Sequence, residues 1–282
     1  MTARFGRKVG TGGALTGLVA VVVAGSLLTV AATPETVTTN IEPTLASPST
    51  QVQVQQVEAP GDYAVPTDTD GLSVYHEAMR ARGARILVST EKRWLWYMQG
   101  NDTLVSAPVA IGMGKTFEYD GKKYPFHTPR GKRVVRLKQA NPIWTVPEWH
   151  YYEKAATRGL DVVKLTRDKP YQLQDGTYLD VRGSDVGRVN QFGNWWPFSQ
   201  DFEIIFEGKI FMPPMGTTQR QVTNALGPYK LDMGEGYLIH GTHEDNSASI
   251  GQAVSHGCVR MRNEDLGVLY ELVSPGTPVF IF

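Results

Sequence analysis

Cys258 is the one cysteine among 282 residues. Three of the six histidines, His240, His243 and His256, share its stretch Ile239–Met261. A thiol of ordinary pKa, about 8.5, reacts as thiolate, so it needs an imidazole or oriented N–H groups beside it. Tyr237–His240 has the composition of a strand, and Cys258 would open the neighbouring one, with residues 241–257 looping between them. That arrangement would bring the His240 imidazole to the sulfur. Gly257 frees the backbone to turn N–H groups toward a developing oxyanion. A cysteine can instead be a small buried hydrophobe, but Ser255-His256-Gly257-Cys258 is a poor apolar context for that. Zinc is the rival chemistry, because His240, His243, His256 and Cys258 make a legal ligand set for a zinc hydrolase. Against it, His240 and His243 follow a strand rather than lie on a helix, and there is no HExxH pattern. No metal or other cofactor is expected, and His243 reads as an exposed bystander.

The elements that must carry these groups are mostly strands. Arg85–Ser89, Arg93–Met98 and Thr103–Ile111 are rich in β-branched and aromatic residues and are separated by turn-like tripeptides. They predict an antiparallel sheet. Further strands are expected at Lys132–Lys138, Phe202–Phe206, Lys209–Met212, Tyr229–Met233 and Thr277–Phe282. Leu72–Arg82 predicts a short amphipathic helix. Asn263 reads as the N-cap of a late helix with Leu266, Leu269, Tyr270 and Val273 on one face. The expected class is mainly β, with that helix packed on the sheet. Residues 141–210 break the rhythm. Pro147-Glu148 opens a short helix there, and the aromatics Phe192, Trp195, Trp196 and Phe198 read as a small core or as cover for a cleft.

Charge excludes one class of partner. The chain carries 28 Lys+Arg and 28 Asp+Glu, so no basic excess points to nucleic acid. At the amino end, Arg4, Arg7 and Lys8 precede an uncharged apolar run from Ala14 to Ala32. This predicts a signal peptide or membrane anchor over 1–32, with the remainder outside the cytoplasm. Residues 33–71 are rich in Thr, Ser and Pro and read as an extended linker. Residues 72–282 form the expected catalytic domain.

Ile239-His240-Gly241-Thr242 followed by Ser255-His256-Gly257-Cys258-Val259-Arg260-Met261 resembles the signature of the YkuD-type L,D-transpeptidases. Thr128-Pro129-Arg130-Gly131 and Asn224-Ala225-Leu226-Gly227 resemble that family's TPxG and NPLG elements. The resemblance covers about residues 84–282 and is interrupted by the 141–210 insertion, which looks longer than the usual connection. It implies a β-sandwich catalytic domain acting on peptidoglycan as a cysteine acyltransferase. Cys258 would attack the bond before the terminal D-alanine of a tetrapeptide stem, form a thioester and pass the acyl group to an amine as a 3→3 cross-link. Water as acceptor would make an L,D-carboxypeptidase, and a protein amine would give wall-protein attachment. A non-catalytic wall-binding protein is the remaining alternative. By the same resemblance His240 is the base and the Gly241 carbonyl orients it. His256 sits beside the sulfur, and the N–H groups of Gly257 and Cys258 form the oxyanion hole. Arg260 would hold a substrate carboxylate. Ser255 would touch substrate or, more readily, brace the loop.

Overall fold

The computed structural model describes Pro60 and residues 64–282. The expected signal or anchor at 1–32, and most of the linker expected at 33–71, lie outside the described residues. Among the described residues no helix is long and apolar enough to cross a membrane.

Two sheets face each other. The first has five strands in the order Asp102–Pro108, Trp94–Gln99, Ala84–Ser89, Pro278–Ile281 and Gly131–Val134. The second has four, in the order Val259–Arg260, Leu238–His240, Tyr229–Asp232 and Leu137–Ala140. Side chains alternate across a strand. Ile86 and Val88 therefore reach the shared core with Leu231, Met233, Ile239, Val259 and Met261, while Leu87 faces the other way. On that outer face Leu87, Trp96, Met98, Phe280 and Phe282 pack under helix α1, Thr69–Arg80. Asp68 caps α1 by accepting the Gly71 N–H at 2.8 Å. Because both faces of Ala84–Ser89 are covered, its centre Ile86–Val88 is a continuous apolar run instead of an alternating one. α1 starts at Thr69, ahead of the expected Leu72, and Ala64 and Val65 already pack beneath it. The ordered fold thus reaches into the stretch read as linker.

The run expected as a single strand, Lys132–Lys138, is two. Gly131–Val134 pairs with Pro278–Ile281 in the first sheet, and Leu137–Ala140 pairs with Tyr229–Asp232 in the second. The handover falls at Val135 and Arg136, whose N–H groups donate to Thr277 O and Asp232 O. A local β signal cannot reveal that one run serves two sheets.

The insertion has cores of its own. Helix α2, Glu148–Arg158, follows Pro147 and stops at Gly159, which is left-handed at φ 65°. Its Tyr151, Tyr152 and Ala155 bury against Ile210 and Met212. A four-stranded meander packs Leu173, Leu179, Val181 and Val186 on Ile204 and Phe211. Trp144–Thr145 pairs with Gln221–Val222, so the insertion closes near residue 222 and not at 210. The buried Arg220 locks that closure by donating to Val146 O and Pro213 O. Of the four aromatics expected to act together, Phe198 joins the small core, whereas Phe192 and Trp196 are exposed.

Helix α3, Asn263–Leu272, buries Leu266 and Leu269 in the shared core. Asn263 is not its cap. Arg262 holds the N-cap position, and the Asn263 side chain is used elsewhere.

Candidate active site

The sequence brings His240 and Cys258 together through a parallel strand pair. Ile239 lies opposite Val259, and His240 opposite Arg260. Since Ile239 and Val259 turn into the core, alternation sends His240, Arg260 and Cys258 to the other face. Cys258 Sγ lies 3.8 Å from Gly236 O, and the Leu238 backbone N–H bonds to the sulfur. Burial pushes the thiol pKa up, opposed by that N–H and by the Arg260 guanidinium.

His240 is buried, and its Nδ1 lies 2.6 Å from Gly241 O. A carbonyl can only accept, so Nδ1 carries the hydrogen and Nε2 keeps its lone pair. Burial and the Arg260 cation lower the pKa of His240 to about 4, outweighing the Gly241 carbonyl. At neutral pH the ring is an uncharged acceptor.

The loop behind His240 is fixed by Asn263. Its Oδ1 accepts the Thr242 N–H and its Nδ2 donates to Thr242 O, each at 3.0 Å. There is no room for a side chain there. A Cβ on Gly241 would lie 2.3 Å from Asn263 Oδ1, and one on Gly227 would lie 2.7 Å from the Thr242 nitrogen. Gly227 also holds φ 66°. The Asn224–Gly227 turn and the first residue of α3 thus clamp the backbone that orients the imidazole.

The loop before the thiol is fixed differently. Ser255 is fully buried. Its hydroxyl donates to Cys258 O at 2.5 Å and accepts the Gly257 N–H at 3.1 Å. Ser255 is therefore a brace and has no surface for substrate. The Gly257 N–H is likewise engaged inside the loop, which corrects the expectation that it faces an oxyanion. Thr128 donates to Gly257 O at 2.9 Å and accepts the Gly112 N–H at 2.8 Å, tying the thiol loop to the strand Ile111–Gly112.

His256 is held from outside the sandwich. Its Nε2 lies 2.9 Å from Glu153 Oε2, its ring stacks on Trp149 at 4.3 Å, and Phe126 meets its face edge-on at 4.5 Å. Trp149 and Glu153 both belong to α2. Burial lowers the His256 pKa, and Glu153 opposes that.

Arg260 is partly buried on the thiol face, where burial lowers its pKa and Cys258 raises it. His243 is exposed and accepts the Asp245 N–H at the start of a 3-10 turn, Glu244–Ser249. Among the described residues no group of three or more His, Cys, Asp and Glu side chains is gathered to hold a metal ion.

Residues 83–281 match the family model described as the L,D-transpeptidase catalytic domain, YkuD. The chain belongs to that family. The Escherichia coli K12 protein described as "Probable L,D-transpeptidase YbiS" is 52% identical over 195 residues, covering 69% of this chain and 42% of that relative. The "Probable L,D-transpeptidase ErfK/SrfK" of Salmonella typhimurium LT2 is 43% identical over 81 residues, 28% of this chain and 24% of that one. This chain thus spans less than half the length of either relative. The solved catalytic domain of the E. faecium L,D-transpeptidase aligns with 14% identity and a TM-score of 0.38, over 72% of this chain and 99% of that one.

Within this YkuD domain, sequence reasoning missed Glu153, Trp149, Phe126, Thr128 and Asn263 as neighbours of the site. The Thr128-Pro129-Arg130-Gly131 motif was visible as a likeness but gave no partner for its hydroxyl. Glu153 lies 103 positions from His256, and no local pattern couples them.

Proposed function

We propose that this YkuD-family protein is a peptidoglycan L,D-transpeptidase in which Cys258 is the nucleophile and His240 its base. One observation carries the reading: His240 donates Nδ1–H to Gly241 O, so its unprotonated Nε2 is left for the face that also bears Cys258. With the thiol raised and the imidazole lowered, the resting pair is uncharged. Charge develops only when a substrate carbonyl arrives, which is where stabilisation has most effect on rate.

In the proposed reaction, Nε2 takes the thiol proton as sulfur attacks the carbonyl before the terminal D-alanine. The oxyanion is received by the backbone N–H of Cys258, just before the strand pairing begins at Val259. Collapse breaks the C–N bond, His240 returns the proton to the departing amine, and a thioester remains. An acceptor amine then attacks it, gives its proton to His240 and regenerates the thiol. Arg260 anchors a carboxylate of the stem, because its guanidinium is partly buried beside the sulfur and no carboxylate among the described residues acts on it. His256 and the braced Ser255–Gly257 turn shape the sulfur's surroundings. Hydrolysis, or attachment of a protein amine, would use the same thioester.

Peptidoglycan lies outside the cytoplasmic membrane, so the reading includes an extracytoplasmic domain exported or anchored by residues 1–32, with donor and acceptor stems as partners. The test is incubation with a defined disaccharide-tetrapeptide followed by mass analysis. Free D-alanine with a cross-linked dimer supports transpeptidation, and D-alanine with tripeptide alone supports carboxypeptidase action. Cys258→Ala must lose both products, and turnover surviving in that variant sinks the nucleophile assignment.

A further inference from the structure

The His240 side of the site is built wholly from the sandwich, but the His256 side is not. Helix α2 reaches it from the insertion with two groups one turn apart, Trp149 and Glu153. The indole stacks on the imidazole at 4.3 Å with an interplanar angle of 21°. The carboxylate oxygen sits 2.9 Å from Nε2. Phe126 closes the ring's edge-on side at an angle of 78°. With two aromatic walls and one ionic partner, the ring has a single well-defined placement two residues before the thiol. A carboxylate only accepts, so the contact requires a hydrogen on Nε2. In the neutral ring that leaves Nδ1 as the lone-pair nitrogen.

We infer that Glu153 is a positioning residue for the thiol: by accepting the Nε2 hydrogen of His256 it fixes that ring's tautomer and angle, so the insertion completes the site. This deepens the transpeptidase reading and rests on it only for the turnover measurement. Among the described residues the charged groups acting on His256 are Glu153 from α2 and Arg260 from the thiol strand, and His256 in turn acts on His150 of α2. Glu153 favours the imidazolium and Arg260 opposes it. On metal-bound histidines an orienting carboxylate matters by about one to two orders of magnitude, and that scale is taken over for His256.

The experiment uses the full chain with nitrogen-15-labelled histidine, in wild type, Glu153→Ala and Glu153→Gln. Imidazole nitrogen spectra should show His256 as the Nε2–H tautomer in wild type and as a mixture in Glu153→Ala. Glu153→Gln keeps an acceptor but loses the charge. It should retain the tautomer, while His256 titrates at lower pH. D-alanine release should fall about 10-fold or more in kcat for Glu153→Ala, with KM within about two-fold, and recover in part in Glu153→Gln. An unchanged tautomer and unchanged kcat in folded Glu153→Ala overturn the inference. Should that variant not fold, Glu153→Gln decides, since an unmoved His256 titration then removes the carboxylate from the role. If the wild type releases no D-alanine, the transpeptidase reading fails by itself. The spectra, with iodoacetamide labelling of Cys258 slowed at least about three-fold in Glu153→Ala, still judge Glu153.

Discussion

Two histidines border the thiol's loop in the chain, and they are held by opposite means. His240 sits on a sandwich strand, is buried, and is oriented by the carbonyl of its own neighbour Gly241. His256 sits on a loop, is partly open, and is oriented by a carboxylate and an indole from the insertion. A backbone carbonyl fixes a tautomer without adding charge, so the His240 ring stays a neutral base. A carboxylate fixes the tautomer and also favours the imidazolium. The first arrangement belongs to the sandwich itself. The second exists only because this chain carries α2.

The comparison predicts unequal losses. His240→Ala removes the proposed proton carrier and should lower kcat for D-alanine release by about 10³-fold or more, within the range for general-base loss. His256→Ala should cost about 10- to 100-fold, the scale of a lost orienting group. Steady-state kinetics on one tetrapeptide donor measures both. Equal losses would break the ranking and make His256 a second proton carrier.

Acid sharpens the same contrast. His240 has its pKa lowered from 6.5 to about 4, and so has His150 on α2, whose Nδ1 has no partner among the described residues. For each, the folded state prefers the neutral ring. The unfolded chain takes its proton first as pH falls, so the stability is intact above about 6.5 and is lost as pH falls toward 4. A gap of that size corresponds to roughly 3 kcal/mol per ring. Urea unfolding at pH 7.5 and pH 4.5 should show the loss, and His240→Gln and His150→Gln should each reduce the pH dependence. A pH-independent midpoint in wild type would contradict both.

Next in size is the clamp behind His240. Asn263→Ala leaves the Thr242 N–H and carbonyl without their partners, at about 1–3 kcal/mol of stability. Loss of the fixed loop should also lower kcat by about 10-fold or more. Asn263→Asp keeps the acceptor and should recover part of both. If Asn263 were an ordinary N-cap, the Asp variant would be fully active, because Asp caps as well as Asn.

The sandwich was legible because its information is local. Arg85–Ser89, Arg93–Met98 and Tyr229–Met233 carry strand composition and lie within one or two residues of the observed strands. The approach of Cys258 to His240 followed from a strand, a loop and a neighbouring strand, whereas the parallel sense of the pair is a finding of the structure. What stayed hidden depends on contacts distant in sequence. Lys132–Lys138 looks like one strand because its break serves two partners, Pro278–Ile281 and Tyr229–Asp232. Asn263 has cap chemistry, yet its amide fits Thr242 better. Gly257 was credited with a free N–H because no sequence pattern says that Ser255 would accept it. Glu153 sits on an unremarkable amphipathic helix, and only the docking of α2 brings it to His256.

The smallest expected effect separates the two ends of the insertion. At its near end Trp149 is stacked on His256. At its far end Phe192 is 78% exposed on the turn that Asn190 closes by accepting the Phe192 and Asn194 N–H groups. Trp149→Ala strips a wall from the His256 ring and should lower turnover of a soluble tetrapeptide several-fold. Phe192→Ser removes a side chain that buries little, so stability should stay within about 0.5 kcal/mol and soluble turnover should not change. Intact sacculi reach farther than a soluble fragment, and this gives the pair its discriminating use. If Phe192→Ser slows D-alanine release from sacculi while sparing the fragment, the far end is a contact for the polymer. If it spares both, only the α2 end of the insertion serves the site.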